Sequence, residues 1–146
     1  MRLVNYKPEH LDELLAGDMD NLARKSFGVA GDFAQSLDVP GMAFTAIEDG
    51  YLIASGGIQP LWKGVGEGWF VASTNMPKKK LNIIRMIKDN FDVIIDDNSL
   101  FRVQAGVRSD WPAAMRFAEF FGFEHEGIMR KYGPDGQDYY RMARIT

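Results

Sequence analysis

Cysteine is absent from the 146 residues, which removes disulfides, a thiol nucleophile and any cysteine-based zinc site. Histidine is scarce: His10 and His125 are the only two, too few for a histidine-rich metal centre, and no metal is expected. No apolar run reaches the roughly 18 residues of a transmembrane helix. Met1 to Lys7 reaches Pro8 without the apolar core of a signal peptide. Charge of one sign is lacking as well, since 17 Lys+Arg stand against 20 Asp+Glu for a net charge of -3. A general nucleic-acid binder runs basic, so nucleic-acid and membrane partners are not expected. Internal repeats and low-complexity tracts are also missing. What is present, 46% hydrophobic and 25% charged residues, is the balance of a folded cytoplasmic protein. The length suits a single domain over residues 1–146.

The pattern along the chain alternates between strand and helix periods. Arg2 to Lys7 reads as a first strand, and Pro8 opens a helix carrying Leu11, Leu14 and Leu15. Met19 to Leu37 reads as one or two short helices jointed at Gly28 and Gly31. Met42–Ile47 and Tyr51–Ser55 flank Asp49-Gly50, a hairpin signal. Gly56-Gly57 implies a bulge or a close backbone approach. Glu67–Ser73 is a further strand. From Pro77 onward, Leu81, Ile84, Ile87, Phe91 and Ile94 form one helical apolar stripe. Leu100–Arg108 is strand-like, and a helix from Trp111 to Phe121 stops at Gly122. Phe123–Tyr132 and Tyr139–Ile145 close the chain as strands around Gly133-Pro134-Asp135-Gly136. The expected order is β-α-α-β-β-β-α-β-α-β-β.

The segment Phe101–Val107, the helix residues Ala114 and Arg116–Phe121, Gly122-Phe123, and Glu126–Arg130 follow one another as strand, helix and strand. With the element order, this resembles the second half of the GNAT superfamily of acyl-CoA N-acyltransferases. The resemblance implies an α+β fold with a central twisted, mostly antiparallel sheet of about seven strands and about four flanking helices. The fourth and fifth strands are then parallel and splayed. It also implies acetyl-CoA as cosubstrate and a small-molecule or protein amine as acceptor. Gly57-Ile58, Trp69-Phe70-Val71 and Met129–Gly136 resemble, more narrowly, small GNAT-like proteins of tailed phages, including internal virion proteins. That implies the host cytoplasm or the virion as location, with a homodimer or virion proteins as partners.

In the family, backbone N–H groups of a glycine-rich loop between the fourth strand and the next helix hold the pyrophosphate. The corresponding Asn75-Met76-Pro77-Lys78-Lys79-Lys80-Leu81 has neither glycine, and Pro77 removes one donor. Lys78, Lys79 and Lys80 would instead meet an anion at a helix start, where cations otherwise cost about 0.3–1 kcal/mol each. A solvated lysine turn with no ligand is the competing reading. By resemblance the cofactor contacts are Val71, Ala72, Lys78, Lys79, Lys80, Leu81 and Trp111. Counting back from Phe123, Trp111 and Ala118 occupy the positions of the family's Asn and Tyr, so the family's acid is missing.

Glu67, four residues before Val71 on the fourth strand, lies close to where several family members place a carboxylate, and by that resemblance it is the candidate general base. Strand alternation puts it on one face with Trp69 and Val71, beside an aromatic wall. Tyr132 is a candidate replacement acid, as are Tyr139 and Tyr140, and no spacing selects among them. Trp62, next to Lys63-Gly64 in a glycine-rich loop, is a candidate binding aromatic, whereas His10 and His125 read as ordinary structural residues. The expected activity is transfer of an acetyl group from acetyl-CoA to an amine by direct attack. The alternative is an inactive phage protein of the same fold, serving as an internal virion component or a binder of a host protein.

Overall fold

The computed structural model describes residues 1–17, 20–26, 32–74, 76 and 81–146. Its first part comprises β1 (Arg2–Asn5), α1 (Pro8–Ala16), α2 (Asn21–Ser26), α3 (Asp32–Ser36), β2 (Ala43–Glu48), β3 (Tyr51–Trp62) and β4 (Val65–Ala72). The second part comprises α4 (Leu81–Asp97), β5 (Arg102–Arg108), α5 (Pro112–Phe120), β6 (Glu124–Met129) and β7 (Tyr139–Ile145). The stretch read as one or two helices is two, α2 and α3, so the described residues hold five helices rather than about four. The glycines expected to joint them, Gly28 and Gly31, lie outside the described residues.

Turn chemistry sets the first hairpin. Asp49 and Gly50 take positive φ of 51° and 80° between Glu48 and Tyr51, which pair directly, the backbone that a two-residue hairpin requires. Beyond it β3 runs on through Gly56 and Gly57 to Trp62, longer than the alternation suggested. The ladder is unbroken at both glycines, and the irregularities fall at Ala46/Ile47 and Pro60/Trp62. Close approach is the reason for Gly57: a Cβ there would lie 2.2 Å from the Met42 carbonyl oxygen. Trp62, expected in a loop, ends β3 with its side chain exposed.

The seven strands form one sheet in the order β1-β2-β3-β4-β5-β7-β6. β4 and β5 are parallel, and the other neighbouring pairs are antiparallel. The β4–β5 ladder covers Val65–Glu67 against Arg102–Gln104 and stops there, although β4 continues to Ala72 and β5 to Arg108. The two strands therefore splay.

One face of the sheet is covered by α4 and α5 over the larger core, which includes Phe44, Ile58, Val103 and Met142. The buried row of α4 is Ile83, Ile87, Phe91, Ile94 and Ile95, not one that begins at Leu81. Leu81 is 58% exposed and Ile84 is half-buried, because the i, i+4 row through Ile87 and Phe91 runs back to Ile83. Phe121 and Phe123 are buried beside α5, and Gly122 between them has φ 90°. That left-handed turn sends the chain from helix to strand. The other face carries a smaller core in which Leu11, Leu14, Ala34 and Leu37 meet Val71. On that face the polar side chains of β5, β7 and β6 remain partly open to solvent.

Candidate functional site

The gap between β4 and β5 is built by backbone alternation. The Ser73 N–H donates to the Ile53 carbonyl at 2.9 Å, and the β3–β4 register is regular from Ala54↔Ala72 back to Pro60↔Gly66. Antiparallel pairing alternates direction, so Glu67, Trp69 and Val71 turn their peptide groups toward β3. Those of Phe70 and Ala72 turn toward the gap. Two main-chain donors thus face a slot that the β5 ladder does not fill.

Glu67 lies where the strands begin to part, with Gln104 as its parallel partner. Its carboxylate accepts two hydrogen bonds from a single nitrogen of Arg141 on β7, Nη1, at 3.2 and 3.3 Å. The two side chains are 27% and 23% exposed. Trp69, two residues further along the same face, has its ring edge-on to Tyr6 at 5.1 Å. The indole Nε1 of Trp69 is buried and makes no hydrogen bond among the described residues.

Tyr132 follows β6 and is half exposed, with its ring edge-on to Tyr139 at 5.3 Å. With Met129 and Tyr139 it fills the space over Gly106 of β5: a Cβ there would lie 3.3 Å from Met129 Cε, 3.4 Å from Tyr139 Cδ2 and 3.5 Å from Tyr132 Cε1. Gly106 shares the face of Gln104, so Tyr132 and Glu67 belong to the same side of the sheet.

The end of β5 is tied down by Arg108, which is 2% exposed. Its guanidinium grips Asp110 through Nε (3.0 Å) and Nη2 (3.1 Å), and Asp135 through Nη1 (2.9 Å) and Nη2 (3.0 Å). These bonds hold the arginine firmly protonated and draw Asp135 down to about 2. Trp111 follows directly as the N-cap of α5, with its N–H on the Arg108 carbonyl at 3.2 Å. The clamp therefore fixes both Trp111 and the turn that carries Tyr132.

The remaining predicted contacts fall at different places. Ala72 ends β4 on the gap side. Val71 is buried with its side chain in the smaller core, and exposed Leu81 begins α4. Lys78, Lys79 and Lys80 lie outside the described residues. His125 sits edge-on to Tyr140 at 4.8 Å, and His10 Nδ1 accepts the Lys7 N–H at the start of α1. Among the described residues no group of three or more His, Asp or Glu could hold a metal ion, and no helix is long and apolar enough to cross a membrane.

Sequence reasoning missed Arg108 and Arg141. A charged residue inside an apolar strand was the available signal. Which carboxylates each would reach depends on the insertion of β7 between β5 and β6, a non-local fact.

No protein-family model matches the chain, and no curated protein matches it. Solved structures do. Ard1 from Thermoplasma volcanium superposes with a TM-score of 0.78 at 16% identity, over 99% of this chain and 97% of its own. An acetyltransferase of the GNAT family from Streptococcus pneumoniae gives 0.71 at 16% identity, over 99% and 98%. This chain has the GNAT fold. AAC(6')-Ib, solved in complex with paromomycin and acetyl-CoA, gives 0.68 at 16% identity, over 98% and 92%. The coverage is nearly end to end, so the likeness in fold spans both halves of the sheet.

Proposed function

We propose that this chain transfers an acetyl group from acetyl-CoA to an amine held at the β4–β5 gap. The observation that carries the reading is the splayed parallel pair, whose free peptide edge at Phe70 and Ala72 follows Glu67 along the same strand. The gap suits acetyl-CoA because those amides can donate to the carbonyl groups of an extended thioester arm. Ala72, Leu81 and Trp111 would hold the cosubstrate, with Lys78, Lys79 and Lys80 meeting its phosphates; Val71, expected among these contacts, has its peptide groups on β3 and its side chain in the smaller core.

Acetyl-CoA supplies an acetyl group already activated as a thioester. Glu67 accepts a proton from the acceptor's ammonium group, which frees the nitrogen lone pair. The C–N bond then forms as the C–S bond breaks, and the proton still in surplus on nitrogen passes to the thiolate through the Tyr132 hydroxyl. Two substrates held side by side need no covalent enzyme intermediate.

The test is a thermal-shift titration with acetyl-CoA, paired with a thiol-release assay over a panel of amines. A selective ligand at 100 times its dissociation constant adds about 2.7 kcal/mol, a rise that melting resolves readily. No shift at millimolar acetyl-CoA refutes the reading. Replacing Lys78, Lys79 and Lys80 together by Ala should reduce the shift without lowering the melting temperature of the free protein.

A second reading rests on Ala118 and on the absence of glycine between Asn75 and Leu81. On that reading the fold is retained for binding, as a virion component or a binder of a host protein. An acetyl-CoA shift without thiol release from any amine, together with the chain's presence in purified particles, would favour it.

A further inference from the structure

The register places Arg141 between two glycines, Gly106 on β5 and Gly127 on β6. A Cβ on Gly127 would meet nothing within 4 Å, whereas one on Gly106 would meet Met129 at 3.3 Å, Tyr139 at 3.4 Å and Tyr132 at 3.5 Å. Arg141 therefore stands half-buried between the filled space over Gly106 and the open space over Gly127, with Glu67 at one end. A guanidinium carries five N–H donors. Nη1 alone serves Glu67, at distances of 3.2 and 3.3 Å that are long for a charge-assisted bond. Nε and Nη2 bond to nothing among the described residues. The nearby Arg102 differs: it is committed to both oxygens of Glu126 at 2.9 and 2.7 Å and to Gln104 at 3.1 Å.

We infer that Glu67 and Arg141 form a receptor for a zwitterion, and that the amine acceptor is an α-amino acid whose carboxylate docks on the free fork of Arg141 while its ammonium meets Glu67. An α-amino acid carries both charges on one carbon, so its ammonium and carboxylate match two side chains already in contact. The carboxylate would complete the donor set of Arg141 in bidentate fashion. A diamine or polyamine would instead bring a second cation to the guanidinium, and like-charge juxtaposition selects against it. As an account of the acceptor the inference rests on the acetyl-transfer reading, but its binding step does not require acetyl-CoA.

The test is isothermal titration of free amino acids, their α-amides and the corresponding decarboxylated amines into the protein without acetyl-CoA. The free acids should bind at least tenfold more tightly than either counterpart. Arg141→Gln should abolish that preference and Arg141→Lys should retain part of it, while Glu67→Gln should weaken acids and amides alike. Equal affinity of acids and amides for the unaltered protein overturns the inference, and that comparison needs no variant to fold. Persistence of the preference in Arg141→Gln also overturns it. An acetyl-CoA thermal shift on the same sample separates the two claims. Zwitterion preference without that shift supports the receptor and removes the transferase, and the shift with indifference to the carboxylate does the reverse.

Discussion

Replacing Arg108 by Ala tests whether the end of β5 is held as the geometry implies. The side chain is 2% exposed and uses four N–H bonds on Asp110 and Asp135. Its cation also lies 5.8 Å from the centre of the Tyr139 ring. Breaking a buried ion pair costs about 3–5 kcal/mol when the surviving charge stays buried. Here the two carboxylates are partly open to solvent and can rehydrate, so the loss should fall near about 3 kcal/mol. For a chain of this size that is a melting-temperature drop of about 6–12 °C. Urea unfolding followed by circular dichroism at neutral pH should show the same loss with an unchanged m-value. Arg108→Met keeps most of the volume and should recover part of the loss, which separates packing from charge. A loss below about 1 kcal/mol in the Ala variant would refute the clamp.

Three more expectations rest on the same geometry. Asp135, drawn from 3.8 to about 2 by Arg108, contributes stability above its unfolded value that is lost as pH falls through about 2. The melting temperature should therefore decline between pH 4 and 2, and Asp135→Asn should start lower at pH 7 and flatten over that window. Gly57→Ala would press a methyl group onto the Met42 carbonyl, and strand backbone cannot yield as a side chain does. The expected cost is at or beyond the top of the usual range of about 1–3 kcal/mol, read from thermal melts of purified protein. Glu67→Gln should lower turnover by about 10²–10⁴-fold while leaving the acetyl-CoA thermal shift in place; thiol release from the preferred amine measures it.

How much of this was legible in the sequence varies with the range of the interaction. Local chemistry reads through: Asp49-Gly50 makes its hairpin and Gly122 its left-handed exit, because backbone conformation at those positions depends on the residues themselves. The strand and helix order also reads through, since each element carries its own period. The α4 row shifted because Leu81, Ile83 and Ile84 are all apolar, and only contact with the sheet decides which of them is buried. Gly56-Gly57 did not bend the strand because the approaching partner, β2, is accommodated by the missing side chains. For the candidate site, the family resemblance points to Glu67 and strand alternation gives only its face. Its partner was not legible, because Arg141 lies 74 residues away in sequence and reaches it only across β5.

Arg108 and Arg141 lie on one sheet face, on adjacent strands, and their different surroundings assign them different work. Arg108 spends four of five donors on two carboxylates and is closed off from water, so its chemistry ends within the protein. Arg141 bonds through one nitrogen, and the space over Gly127 beside it is open, so a ligand can approach its remaining donors from the β6 side. The two are coupled through one turn. Asp135, gripped by Arg108, lies in the same turn as Tyr132, whose ring helps to fill the space over Gly106 beside Arg141. Loss of the clamp should therefore reach the surroundings of Arg141 as well as the fold. The Arg108→Met variant, assayed at a temperature where it remains folded, should bind amino acids more weakly without losing its preference for acids over amides. The free fork of Arg141 would still be present, and only its wall would have moved.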